Sequence, residues 1–127
     1  MITALIVEDS LTDRDLLTCY LQQSGVTVTS VQNSEEALKV LRSAQPDLLF
    51  LDVVLPGQSG FELCRDLKTE ESTQNIPVII CSTKDTEADK LWGSMLGADA
   101  YLTKPVDQQQ LSKTVEKLVG YQGAVPG

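Results

Sequence analysis

The chain has 127 residues, the size of one domain of roughly 100–200 residues, which excludes a two-domain architecture. Hydrophobic residues make up 42% and charged residues 22%, which excludes a disordered polyampholyte. Asp and Glu number 18 against 10 Lys and Arg, a formal net charge of −8 with the basic residues scattered, so a polyanionic nucleic acid is excluded as a partner.

In chain order, Ile2–Val7 is an apolar run ending in Glu8-Asp9. Leu16, Leu17, Tyr20 and Leu21 then form a helical stripe, closed by Gly25 where a left-handed residue ends a helix. Val26–Val31 alternates with Thr and Ser, as a half-covered strand does. Asp47–Asp52 is a third, continuously apolar strand. Ser59 and Glu62 have capping-box spacing and mark the next helix start. Pro77–Ser82 is the fourth strand, and Ala88, Leu91, Trp92, Met95 and Leu96 repeat at helical spacing before Gly97. That stripe is expected to face the sheet, with Trp92 in the core rather than on a partner. Asp99–Thr103 is a short, mixed fifth strand, and Asp107 with Gln110 opens a last helix striped by Leu111, Val115, Leu118 and Val119. Tyr121–Gly127 has two glycines, a proline and no periodicity, and reads as a flexible tail after a domain spanning 1–120, with no output domain following.

Strands alternating with helices predict an α/β fold, a (βα)5 doubly wound sheet of five parallel strands. The runs ALIV, LLFL and VIIC are apolar throughout, as strands covered on both faces are, whereas the second and fifth look like edges. The order 2-1-3-4-5 fits that pattern.

The chain has no His, which removes Ser/His and Cys/His nucleophile pairs and imidazole metal sites. Cys19, Cys64 and Cys81 lack CxxC spacing and read as buried thiols rather than a disulfide framework or zinc site. The apolar run at Met1–Val7 is too short for a signal peptide, and no stretch approaches the roughly 20 apolar residues of a membrane span. The expectation is a cytoplasmic protein with no membrane partner.

In such sheets ligands bind beyond the carboxyl ends of the strands, where the strand order switches. The first strand ends in Glu8-Asp9, the third in Asp52, the fourth in Ser82-Thr83 and the fifth in Lys104-Pro105. The proposed order makes the first and third strands neighbours and gathers Glu8, Asp9 and Asp52. Clustered carboxylates repel, and an all-oxygen donor set completed by water and a phosphate suits Mg²⁺. Lys104 and the hydroxyl of Ser82 or Thr83 suit a tetrahedral oxyanion across the crevice. Asp52 is the candidate nucleophile toward a phosphoryl group, since that chemistry needs positioning and charge neutralisation more than acid/base groups.

The acidic pair Glu8-Asp9, the segment LLFLDVVLPGQSG around Asp52, Ser82, and GADAYLTKP with Tyr101 and Lys104 together resemble the receiver domain of two-component response regulators, of the stand-alone CheY-like type. The stretch STKDTEADKLWGSMLGADAYLTKP resembles the type IV pilus or phototaxis branch. The resemblance implies that a sensor histidine kinase or phosphotransfer domain passes a phosphoryl group to Asp52. It implies Mg²⁺ on Asp9, Asp52 and the Val54 backbone carbonyl, with Glu8 acting largely through water. Ser82 would follow the phosphoryl group, Tyr101 would turn inward, Lys104 would pair with it, and the Lys104-Pro105 bond would be cis. The fourth helix, fifth strand and fifth helix would form the face read by a downstream effector protein, the chain being a monomer or weak dimer in motility or taxis signalling. Glu at 8, Ser at 82 and Thr83 in place of a frequent Ala depart from the commonest pattern without removing a necessary group. Apolar Val54 and long Lys84, flanking the site by the same resemblance, are expected to slow attack by water.

Other readings stay open on the residues. A haloacid-dehalogenase-like phosphatase places a second Asp two residues after its nucleophile, where this chain has Val54. An FMN module with this strand order needs hydroxyls and amides where EDSLTD offers carboxylates. A pseudo-receiver scaffold would keep the fold without phosphorylation. GxGxxG and P-loop motifs are absent. The expectation is a phosphoacceptor signalling protein, not an enzyme turning over an external substrate.

Overall fold

The computed structural model describes residues 1–123. Ten elements alternate: β1 (Ile2–Val7), α1 (Leu11–Gln23), β2 (Val26–Val31), α2 (Ser34–Ser43), β3 (Leu48–Leu51), α3 (Gly60–Thr69), β4 (Val78–Ser82), α4 (Glu87–Met95), β5 (Ala100–Thr103) and α5 (Gln108–Gly123). All strand pairs are parallel and their order is β2-β1-β3-β4-β5, as the burial pattern predicts.

Side chains of successive strand residues point to opposite faces, so the apolar runs feed two cores. Ala4, Ile6, Leu48, Phe50, Ile79, Cys81 and Leu102 pack with Leu17 and Leu21 of α1 and Leu111 and Val115 of α5. Leu5, Val7, Leu49, Leu51 and Val78 pack with Ala37 and Leu41 of α2 and Leu63, Cys64 and Leu67 of α3. At the edge, Thr27, Thr29 and Ser30 of β2 are exposed, as the alternation predicts.

Strand bounds shift by one residue at polar ends. Asp47 accepts the Thr3 N–H at 2.8 Å, and Asp99 accepts the Val78 N–H at 2.8 Å and the Lys68 ammonium at 2.9 Å. These carboxylates tie off neighbouring strands from outside the ladder. Gly25 and Gly97 both sit at positive φ, 84° and 103°, as helix-ending residues do.

Helix starts at Ser59 and Asp107 are capped from the side chain, Ser59 Oγ accepting the Glu62 N–H and Asp107 the Gln110 N–H. The reciprocal capping box is at Thr86 and Asp89. α5 continues past residue 120 to Gly123, and the rest of the expected tail, 124–127, lies outside the described residues.

Two expectations are overturned. The α4 stripe faces outward: Ala88, Leu91, Trp92 and Met95 are all exposed, Trp92 at 49% and Met95 at 68%. The helix instead meets the sheet through Gly93, where a Cβ would come within 3.1–3.2 Å of the Tyr101 ring and Ile80 Cδ1. Helical spacing fixes which residues share a face but not which face looks inward, and the small residue here sets the approach. Cys19 is exposed, because its place on α1 lies off the Leu17/Leu21 face; Cys64 and Cys81 are buried.

Candidate functional site

Strand register assembles the site. Val7 pairs with Leu51, and the next residues continue the pairing, with the Asp52 N–H donating to Val7 carbonyl at 3.1 Å and the Glu8 N–H to Val31 carbonyl at 3.0 Å. On the other side Ser82 pairs with Thr103, and the Lys104 N–H donates to Ser82 carbonyl at 3.0 Å. Each functional side chain therefore sits at the same edge, one or two residues past the last apolar residue of its strand.

Carboxylate oxygens of Glu8, Asp9 and Asp52 lie within 4.8 Å of one another. Glu8 is 1% exposed and Asp52 is buried, while Asp9 faces solvent. Three carboxylates offering oxygen only, two held by strand ends and one open to water, match a hard divalent cation that keeps part of its water shell. The Val54 N–H lies 3.3 Å from Asp52 Oδ1, and Val54 itself is exposed.

Lys104 reaches across this cluster. Its ammonium donates to Glu8 Oε1 at 2.6 Å, Asp13 Oδ2 at 2.9 Å and Asp52 Oδ2 at 3.2 Å. Burial pulls the Lys104 ammonium toward neutrality, but its bonds to Glu8 and Asp13 and the charge of Asp52 outweigh this and hold its pKa above the ordinary value. Burial pushes the Glu8 carboxyl upward against the lowering pull of the Lys104 and Ser10 hydrogen bonds. The Lys104-Pro105 bond is cis.

Ser82 is fully buried and its Oγ accepts the Lys84 N–H at 3.2 Å; Thr83 is exposed. The Tyr101 hydroxyl donates to the Lys84 carbonyl. Ser82 and Tyr101 thus hold the two ends of the Lys84 residue, while the Tyr101 ring lies against Gly93 of α4. Burial, then the charges of Asp89, Asp52 and Asp85, push the Tyr101 phenol up to about 12.

Every residue singled out in the sequence is at this edge: Glu8, Asp9, Asp52 and Lys104 in contact range, and Ser82, Thr83, Val54 and Tyr101 around them. Two residues escaped sequence reasoning. Asp13 is the third residue of α1, capped through its N–H by Ser10 Oγ. Helical side chains lean toward the N-terminus, so an acid there lies over the strand end, a signal present in the spacing from Glu8-Asp9. Gly60 packs its Cα face on the Asp52 backbone, where a Cβ would lie 1.9 Å from the Asp52 carbonyl oxygen.

This chain is 42% identical to protein PilH of Pseudomonas aeruginosa over 119 residues, 94% of this chain and 98% of that protein. It spans about half the length of other curated relatives that it matches, which are transcriptional regulators. Among solved structures, chemotaxis response regulator CheY4 of Vibrio cholerae is 28% identical with a TM-score of 0.85, covering 93% of this chain and 98% of that one. The receiver domain of sensor histidine kinase PA1611 from Pseudomonas aeruginosa, solved with a magnesium ion in its active-site cleft, shares the fold at 23% identity and a TM-score of 0.85, covering 94% and 98%. The profile of the response regulator receiver domain matches residues 4–116. With five parallel strands in the order 2-1-3-4-5 and the acidic cluster at their carboxyl edge, the chain belongs to the response regulator receiver domain family.

Proposed function

We propose that the protein accepts a phosphoryl group on Asp52 from a phosphohistidine of a sensor histidine kinase or phosphotransfer domain, and that this state is read by a protein partner. The observation that carries the reading is the Lys104 ammonium bonded to Glu8 and Asp52 beside a three-carboxylate cluster with no imidazole or thiol in it. An Asp52 oxygen forms the new P–O bond as the donor's P–N bond breaks, the electron pair leaving with the imidazole nitrogen. No proton has to move at Asp52, so a site without a general base suffices. Lys104 neutralises charge developing on the phosphoryl oxygens. Glu8, Asp9, Asp52 and the Val54 carbonyl are the oxygens that would hold Mg²⁺, and Mg²⁺ when bound supplies the remaining charge neutralisation.

Ser82 and Tyr101 carry the change outward. A phosphoryl group adds about 1.5 to 2 negative charges and strong acceptor oxygens. Ser82 Oγ, which now accepts the Lys84 N–H, also carries a hydroxyl proton to donate to a phosphoryl oxygen, which draws on the β4–α4 connection that Tyr101 also holds. Tyr101 abuts Gly93, so α4 with β5 and α5 is the face that responds. Exposed Leu91, Trp92 and Met95 on α4 support a protein partner there. The 42% identity to protein PilH, the likeness to a chemotaxis response regulator and the stretch STKDTEADKLWGSMLGADAYLTKP support a role in motility or taxis signalling. No helix among the described residues is long and apolar enough to cross a membrane.

The protein is not an enzyme in the turnover sense: water attack on the Asp52 acyl phosphate resets it, and Val54 stands where a phosphatase would place a second acid. Borohydride reduction tests the assignment, because it converts an aspartyl phosphate to homoserine. After treatment with phosphoramidate and Mg²⁺, peptide mass analysis should place homoserine at position 52; conversion elsewhere, or none, contradicts it.

A further inference from the structure

All three N–H bonds of the Lys104 ammonium are committed, to Glu8, Asp13 and Asp52. Lys104 cannot meet a phosphoryl group without releasing one of them. Glu8 is pinned by the Ser10 N–H at 3.1 Å and buried, and Asp52 is the acceptor itself. Asp13 is different: it comes from α1, stands outside the Glu8, Asp9 and Asp52 cluster, and its side chain is 38% exposed. Water can replace the Lys104 bond to Asp13, so this is the bond that breaks at least cost.

We infer that Asp13 is a positioning residue, a tether that holds the Lys104 ammonium on the α1 side of the pocket and thereby slows phosphorylation of Asp52 and destabilises the phosphorylated state. The inference rests on the phosphoacceptor reading above. In the reaction with phosphoramidate, an Asp52 oxygen forms the P–O bond as the P–N bond breaks, and ammonia leaves with the electron pair after taking a proton from water. Asp13 and the phosphoryl oxygens compete for the same Lys104 N–H throughout. Asp13 also adds a negative charge to a site that is gaining negative charge.

The test compares the whole chain with Asp13→Asn and Asp13→Glu at saturating Mg²⁺. Asp13→Asn keeps the shape and the Ser10 cap on its N–H but removes the charge that holds Lys104. It should be phosphorylated by phosphoramidate about 1.5-fold to fivefold faster than wild type, the scale of a partly exposed charge pair. Beryllofluoride, which stands in for the phosphoryl group on an aspartate, should bind Asp13→Asn tighter by a similar factor, while Mg²⁺ alone binds no more tightly because a nearby negative charge has gone. Asp13→Glu should stay close to wild type in all three readouts. A purely structural role would weaken phosphorylation, beryllofluoride and Mg²⁺ together in Asp13→Asn, and that result overturns the inference, as does an unchanged rate. Failure of the wild-type chain itself to be labelled would instead overturn the phosphoacceptor reading.

Discussion

Gly60→Ala probes the contact on which the position of Asp52 depends. Gly60 opens α3, and its N–H donates to the Val53 carbonyl at 2.8 Å. A Cβ there would lie 1.9 Å from the Asp52 carbonyl oxygen, 2.7 Å from its carbonyl carbon and 2.8 Å from Val53 Cα. Ordinary contact begins near 3.4 Å, so the helix start and the β3–α3 connection must separate by about 1.5 Å. All three atoms are backbone, so no side chain can turn aside. Overpacking of this kind costs about 1–3 kcal/mol or more, and the strained N–H bond adds about 1 kcal/mol. The gain in helix propensity returns at most about 1 kcal/mol. The net expectation is a loss of about 3 kcal/mol, which lowers a urea midpoint by about 1.5 M for a slope near 2 kcal/mol per M. Gly120→Ala in α5 is the control: among the described residues nothing lies within 4 Å of its Cβ position, so the same substitution should stabilise by about 0.5–1 kcal/mol. A Gly60→Ala midpoint equal to or above wild type would refute the close-approach argument.

Three other outcomes follow from the geometry. Trp92→Ala should cost less than about 1 kcal/mol because the ring is half exposed, and iodide should quench its fluorescence; a loss of about 3–5 kcal/mol would restore the core reading. Asp9→Asn removes an exposed carboxylate from the acidic cluster, so in EDTA it should stabilise the fold by up to about 1 kcal/mol while shrinking the stabilisation that Mg²⁺ gives; a less stable apo-protein contradicts this. A thiol reagent at neutral pH should modify Cys19 alone in the native chain and all three cysteines after unfolding. Burial pushes the Cys64 thiol from 9.0 up to about 11. The unfolded thiol therefore ionises first, so stability is full below pH 9 and declines between 9 and 11. A midpoint that rises over that range would reverse the sign.

The sheet was legible because ALIV, LLFL and VIIC are apolar on both faces and only a strand between two helix layers hides both. The strand-end acids and Lys104 were legible for a related reason: each interrupts an apolar run at the edge where such sheets bind ligands. α4 was misread because a periodic stripe carries no sign of inward or outward. The glycine at 93, flanked by larger side chains, is what marks the packed face, and its partner Tyr101 lies on another element. Gly60 and Asp13 were missed because a close backbone approach and a shared ammonium are properties of the folded chain, although the lean of helical side chains pointed Asp13 at the site.

The central claim is that Asp52 takes up one phosphoryl group in a reaction that depends on the acidic cluster. Intact mass after incubation with phosphoramidate and Mg²⁺, beside Asp52→Asn and an EDTA control, tests it most directly. The account predicts a gain of one phosphoryl group in the wild-type chain, absent from Asp52→Asn and from the EDTA sample. No gain under conditions that label another receiver domain, or a gain that survives Asp52→Asn, would contradict it.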